Sequence, residues 1–327
     1  MATFILRRLI QSVFVLLAMV VLVFLGVYVI GDPAQLLVPP DGTAEDLARI
    51  REMFGLDDPL WRQFLDFLGN LARGDLGQSF AYGDPALGLV LQRLPATLEL
   101  VGVAMLLAVG AGIPLGLYAG LHPERRLSRW IMGTSIVGIS IPNFWQGLVL
   151  IFIFAVTLQA FPASGRAEPV TVLGIRSSLW TAEGWRAVFL PALNLALFQC
   201  TLVIRLVRTN VREIVLTDFV RFARAKGLEV GRIVWVHILR NTLVVLVTVL
   251  GLQLGSLIAY SVLTETIFAW PGMGNLIIDA VNRLDRPVMV AFMMVVVTLF
   301  ILINLVVDIL YCVIDPRIRV QDGEAAP

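Results

Sequence analysis

Cysteine and histidine are almost missing from this chain. Two of each occur in 327 residues: Cys200, Cys312, His122 and His237. Both cysteines lie inside apolar runs, so a disulfide framework or a zinc site has no support. The two histidines stand far apart with no carboxylate pattern around either, which leaves no metal centre and no Ser-His triad to argue from. Charge is also scarce, at 15% of residues against about 25% in soluble domains. Neither sign dominates: 25 basic residues face 24 acidic ones, so nothing in the overall charge points to nucleic acid as a partner. A phosphate-cradling Walker A motif is not visible either.

What fills the chain is apolar side chain, 58% of all residues, with a mean hydropathy of +0.86. A soluble fold of this length has nowhere to bury that much apolar surface. An α-helix needs about 20 apolar residues to cross the hydrocarbon layer with every backbone polar group satisfied internally. Stretches at 9–30, 95–121, 130–159, 188–207, 242–268 and 288–313 meet that requirement, which predicts an all-α integral membrane protein with about six transmembrane helices. The first stretch is too long for a signal-peptide core and is followed by Gly31-Asp32-Pro33-Ala34, a poor cleavage site, so it reads as a retained anchor. The third contains Ile141-Pro142-Asn143 and is expected to be tilted, kinked or preceded by a short interfacial turn.

Orientation follows from the basic residues of the short links. Arg7 and Arg8 precede the first span, Arg125, Arg126 and Arg129 separate the second and third, and Arg208, Arg212, Arg221, Arg224, Lys226, Arg232 and Arg240 crowd the link between the fourth and fifth. Arg317 and Arg319 follow the last. Both termini are therefore expected in the cytoplasm, with 31–94, 160–187 and 269–287 outside. The first outer segment holds ten acidic and five basic residues. Within it, Thr43 reads as the cap and Gly55 as the stop of a short helix. Trp61, Phe64, Leu65, Phe67 and Leu68 then recur at helical spacing, as in a second helix lying on the outer membrane face or on a partner.

The link at 205–241 carries eight of the 25 basic residues yet alternates them with apolar side chains. Val211, Val215, Phe219 and Phe222 fall on one helical stripe, Thr217 before Asp218 is a plausible helix start, and Gly227 a natural stop. Such a stripe must be covered by the bilayer surface, by the rest of the bundle or by another protein. The wording Asp218-Phe219-Val220-Arg221-Phe222-Ala223-Arg224-Ala225-Lys226-Gly227-Leu228, with His237-Ile238-Leu239-Arg240-Asn241 after it, resembles the cytoplasmic loop of ABC importer permeases of the dipeptide, oligopeptide and nickel family. The generic importer form has Glu-Ala-Ala, then Gly four positions on, then Ile-x-Leu-Pro. Here Arg221, Phe222 and Ala223 occupy the Glu-Ala-Ala positions, Gly227 and Leu239 match, and Arg240 replaces Pro, departures that the peptide branch shares. Gly31-Asp32-Pro33, Gly74-Asp75-Leu76-Gly77-Gln78-Ser79, Arg93-Leu94-Pro95-Ala96-Thr97-Leu98, the run from Glu265 to Gly274, and Asp315-Pro316-Arg317 are similar to family signatures in family order.

That resemblance implies a type I ABC importer permease fold: 1–94 as an N-terminal helix with a long outer loop, 95–315 as the permease domain with a cytoplasmic coupling loop at 208–241, and 316–327 as a short tail. It further implies a bacterial or archaeal cytoplasmic membrane, a homologous second permease, two ABC ATPase subunits that use ATP and Mg, and an extracytoplasmic solute-binding protein. The chain itself would bind no cofactor and do no covalent chemistry. Docking on the ATPase would fall to Thr217, Asp218, Phe219, Arg221, Phe222, Ala223, Arg224, Ala225, Lys226, Gly227 and Leu239, and the corresponding helices of such importers make Gln253 and Ser256 candidates to line the pathway. A secondary transporter or channel, the rival reading, would place ionisable residues at mid-membrane and commonly show inverted repeats; neither stands out. Charges inside spans cost about 2.5–3.5 kcal/mol at a helix centre, so Glu99, Asp308, Arg205 and Glu265 are expected at interfaces or in interhelical pairs. Gly102, Gly110, Gly112, Gly116 and Gly120, with Pro114 among them, predict close helix packing with a bend, and Gly251, Gly255 and Ser256 form a second face of small residues.

Overall fold

The structure is a computed structural model that describes residues 2–28, 38, 43–53 and 57–314. Gly31-Asp32-Pro33, Gly55, Asp315-Pro316-Arg317, Arg319 and the 316–327 tail lie outside the described residues. Helices dominate: α1 (Ala2–Tyr28), α2 (Ala44–Met53), α3 (Leu60–Ala72), α4 (Ala86–Leu121), α5 (Arg126–Ser140), α6 (Asn143–Leu150), α7 (Ala182–Val215), α8 (Asp218–Ala225), α9 (Arg240–Ile267), α10 (Met273–Asn282) and α11 (Arg286–Ile314). A wide π-helical stretch, Ile151–Thr157, prolongs α6, and another, Ile233–Leu239, leads into α9. The described residues also form a two-stranded antiparallel hairpin, β1 (Val170–Val172) and β2 (Ile175–Ser177), with Leu173 and Gly174 at its tip in left-handed conformations.

Four helices, α4, α7, α9 and α11, are long and apolar enough to cross a membrane, and α5 with α6 make a fifth if counted as one broken span. The apolar stretch Ile10–Gly26 of α1 is shorter than these, so the described residues hold four to five helices of spanning length against the six expected. The kink expected at Ile141-Pro142-Asn143 is sharper than a kink: the two halves turn by 109°, because Pro142 cannot donate to the ladder and pushes Ile141 into extended backbone. Span ends also move. α4 begins at Ala86 rather than 95, and α7 runs from Ala182 to Val215 rather than 188–207. Apolar runs mark only the part of a helix in hydrocarbon, whereas capped polar turns carry it further. Thr181 shows this directly, its Oγ1 accepting from Gly184 N at 3.0 Å to start α7 well before the apolar run.

The described chain falls into two compact units, Leu98–Trp270 with the residues from Leu302 on, and Ala2–Thr97 with Pro271–Ile301. In the second, α3 lays Phe64 and Phe67 against Phe24 of α1, with ring centroids 5.0 and 5.8 Å apart. This packing covers one face of the expected outer helix and leaves Trp61 and Leu65 exposed on the other. Thr43 caps α2 as expected: its amide and hydroxyl both donate to the Asp46 carboxylate, and Asp46 N donates back to Thr43 Oγ1 at 3.3 Å. Asp285, fully buried, accepts from Ser79 Oγ and, at 3.2 Å, from Ala81 N, which ties the Gly74–Ser79 run to the start of α11.

In the first unit the glycines of α4 divide by role. A side chain at Gly112, Gly116 or Gly120 would place its Cβ 2.7–2.8 Å from Val203, Ile204, Val207 or Val211 of α7, whereas Gly102 and Gly110 meet nothing within 4 Å. The first three form a ladder of close approach; the others do not.

Candidate coupling segment and polar cavity

The segment after α7 is built by helix-end chemistry. α7 stops at Val215, and Thr217 sets the start of α8 with extended backbone angles, though its hydroxyl donates back to Ile214 O at 2.6 Å instead of capping the new helix. Asp218 lies in the first turn and Arg224 in the last, each at the end of the helix dipole that favours its charge. Gly227 closes the helix at φ +76°. Its N–H donates to Arg224 O at 2.9 Å, and Leu228 N to Ala223 O at 3.3 Å, the paired bonds of a Schellman stop. Leu228 then packs on the apolar cluster formed by Val203, Val207, Val211, Val220, Ala223 and Ile233.

That cluster corrects the expected stripe. The break at Leu216 and Thr217 takes α8 out of phase with α7, so Val220 and Ala223 turn inward, at 0% and 6% exposure, while Phe219 and Phe222 face out at 45% and 61%. Arg221, Arg224, Ala225, Lys226 and Gly227 share the exposed side, and Lys226 Nζ sits 4.5 Å from the Phe222 ring centroid. The Asp218–Arg221 pair, at 3.5 Å and well exposed, adds little to stability. Leu239, by contrast, is buried in the bundle. Among the candidate docking residues, Ala223 and Leu239 are therefore packing residues, and Thr217 is half-buried.

A second feature lies deeper in the same unit. A cavity of about 260 Å³ opens between α6, α7 and α9, lined by Asn143, Gln146, Asn194, Gln199, Gln253 and Tyr260 among others. Its wall is cross-linked: Asn194 Nδ2 donates to Asn143 Oδ1 at 2.6 Å and to Thr264 Oγ1 at 3.1 Å, and Gln146 Nε2 donates to Asn194 O at 2.9 Å. Gln253 lines the cavity; Ser256, half-buried on the next turn, is not part of its lining. Asn143, Gln146, Asn194 and Gln199 were not legible as a group, yet each is an amide inside an otherwise apolar run, the one signal that marks them.

Of the intramembrane charges, Glu99 is paired as expected. It receives Arg166 Nη2 at 2.7 Å, Arg166 Nε at 2.9 Å and Ser178 Oγ at 2.8 Å, with both charged side chains nearly buried. Glu265 is fully buried and accepts from Ser261 Oγ at 3.2 Å. Arg205 is exposed and Asp308 half-buried. Among the described residues, no three His, Cys, Asp or Glu side chains come together as a metal site.

Comparison with known proteins places these features in a family. Residues 112–320 match the binding-protein-dependent transport system inner membrane component, and 1–101 match its N-terminal companion. The chain is 41% identical to the di/tripeptide transport system permease protein DppB of Pseudomonas aeruginosa strain UCBPP-PA14, covering 98% of this chain and 100% of that one. It is 37% identical to the dipeptide transport system permease protein DppB of Escherichia coli strain K12, covering 98% and 99%. Its fold is like that of the MetNI methionine ABC transporter in inward-facing conformations, with a TM-score of 0.52 at 18% identity over 69% of this chain and 96% of that one. The chain belongs to the family of binding-protein-dependent transport system inner membrane components, the permease subunits of ABC importers.

Proposed function

We propose that this permease forms half of the pathway by which short peptides enter the cell, and that α8 with Gly227 transmits the nucleotide state of separate ATPase subunits to the bundle. The relatives named for di/tripeptide and dipeptide transport support the cargo class. The observation that carries the coupling assignment is the division of α8 into two faces: Val220 and Ala223 anchored in the bundle, Phe219 and Phe222 held out among cations. An eight-residue helix fixed from below by a Schellman stop is a rigid knob, and its exposed apolar face needs a cover.

In this reading a homologous permease completes the pathway, two ATPase subunits bind ATP and Mg, and an extracytoplasmic binding protein delivers the peptide. The termini and 208–241 lie in the cytoplasm, where the arginines cluster. Closure of the ATPases on ATP favours one bundle conformation over the other by differential affinity. Phe222→Asp tests the docking role. It should insert and accumulate normally but lose ATPase subunits on purification and lose transport, because a charge replaces an apolar contact. A helix that rests on lipid would keep its ATPases through the same change, and that result would reject the coupling assignment.

A further inference from the structure

We infer that the unit built on Leu98–Trp270 holds its own solute site, the amide-lined cavity between α6, α7 and α9, and that it takes the main-chain carbonyl groups of one or two residues of a peptide in transit. The inference rests on the peptide reading above and gives it a location.

Gln199 and Gln253 stand at the midpoints of α7 and α9, where water is least available and an unpaired polar group is most costly. Gln199 is nevertheless 2% exposed, and its Nε2 has no hydrogen-bond partner among the described residues. The neighbouring amides differ. Asn143, Gln146 and Asn194 bond to one another and to Thr264, so they fix the wall, and Gln199 borders the cavity with donor capacity left over. The first turn of α6 borders it too, since Pro142 and Asn143 are both lining residues. Pro142 offers that turn no side-chain cap, and the leading N–H groups of a helix have no acceptor within it.

Donors without charge select the ligand. No lining residue is ionisable apart from the Tyr260 phenol, so a metal ion or an inorganic anion would leave its charge unmatched in a low-dielectric site. Peptide carbonyls need donors only. Phe198 and Tyr260, with ring centroids 6.2 Å apart, supply apolar surface for the flanking side chains. The volume, about 260 Å³, falls below the roughly 300–1,000 Å³ of sites for drug-sized ligands, which fits a short piece of peptide at a time.

The test uses the assembled transporter, with partner permease, ATPases and binding protein, in proteoliposomes. It is supplied with Ala-Ala-Ala and with a photoreactive tripeptide carrying a diazirine side chain. Wild type should import both, and cross-links should map to 138–146, 194–199 or 253–260. Gln199→Leu removes a polar atom that has no partner, so its melting temperature should equal or exceed wild type, its ATPases should stay bound, and import should fall about tenfold. Gln253→Leu, on α9, provides a second variant of the lining, read by import and ATPase retention, if Gln199→Leu does not assemble. Import by wild type without cross-links in those segments, together with wild-type import by both variants, overturns the site and leaves the peptide reading standing. Failure of the wild-type complex to import either tripeptide overturns the peptide reading and the assigned ligand together.

Discussion

Gly116 of α4 lies directly under the main chain of Ile204 on α7: a Cβ built on Gly116 would sit 2.8 Å from the Ile204 carbonyl oxygen and 2.8 Å from the Val207 Cβ. Backbone cannot step aside as a flexible side chain can, so the contact is fixed by the absence of a side chain.

Gly116→Ala should therefore destabilise the protein by about 1–3 kcal/mol through overpacking. Gly110→Ala, on the same helix with nothing within 4 Å, should be neutral or stabilising by up to about 1 kcal/mol. Thermal unfolding of the two purified variants measures the difference, and equal midpoints would refute the ladder.

Glu99 and Arg166 make the second prediction. Both are nearly buried, and four donors, two from Arg166 and two from Ser178, converge on the carboxylate. Glu99→Gln leaves a buried guanidinium uncompensated and should cost about 3–5 kcal/mol, while Glu99→Leu with Arg166→Leu should recover much of that loss. A double-mutant cycle in thermal stability reads the coupling directly.

Tyr82 and Asp279 predict a pH dependence. The Tyr82 hydroxyl donates to Asp279, and Arg283 lies 3.2 Å from the same carboxyl. The tyrosine bond first, and Arg283 with it, hold Asp279 below the ordinary 3.8. A lowered carboxylate value means that the contribution is complete above 3.8 and disappears as pH falls through the lower folded value. Tyr82 is held above 10.0, chiefly by the same bond, so its share is complete below 10.0 and is lost as pH rises through the raised value. Hydrogen exchange in 78–85 should therefore speed up below about pH 4 in wild type. In Tyr82→Phe it should be fast at neutral pH already, and unchanged exchange in that variant would refute the latch.

Gly227→Val separates backbone from packing. Its φ is +76° and a Cβ there meets nothing within 4 Å, so the cost is conformational, about 1–2 kcal/mol. The bundle should fold, the Schellman stop should loosen, and ATPase retention should drop while Gly227→Asn retains more. Equal retention by Val, Asn and wild type would contradict the assignment.

Orientation is testable at two exposed points. Leu173→Cys, at the hairpin tip with 97% exposure, should react with an impermeant thiol reagent on sealed right-side-out cells, and Arg224→Cys should not. The reverse pattern would invert the topology.

The spans were legible in the sequence because long apolar runs have one stable solution in lipid. Their ends were not: the apolar turn at Ala86 is parted from its long run by Gln92 and Arg93, and the turn at Ala182, capped by Thr181, looks like loop to any reading by hydropathy. The start and stop of α8 were legible at Thr217 and Gly227, residues whose backbone preferences are local. Its facing was not: the stripe through Val211, Val215, Phe219 and Phe222 assumes an unbroken helix, and the break at Leu216 rotates the later pair outward. The cavity was hidden for another reason. Asn143, Asn194 and Gln199 meet only through the turn at Pro142 and the packing of three helices, and no spacing along the chain records that.

One consequence follows from the unbroken length of α7. Its 34 residues make a rod of about 50 Å, pinned along α4 by the glycine ladder, with Val215 at one end and Gln199 near the middle. A tilt of about 10° about the middle of that ladder, near Val207, would carry Gln199, roughly 12 Å away along the axis, through about 2 Å. That is enough to break a hydrogen bond of ordinary length. A small rotation at the rim would thus decide whether the amide at the centre meets its ligand, which makes α7 a lever pivoted on the ladder, with Val215 on one arm and the cavity on the other.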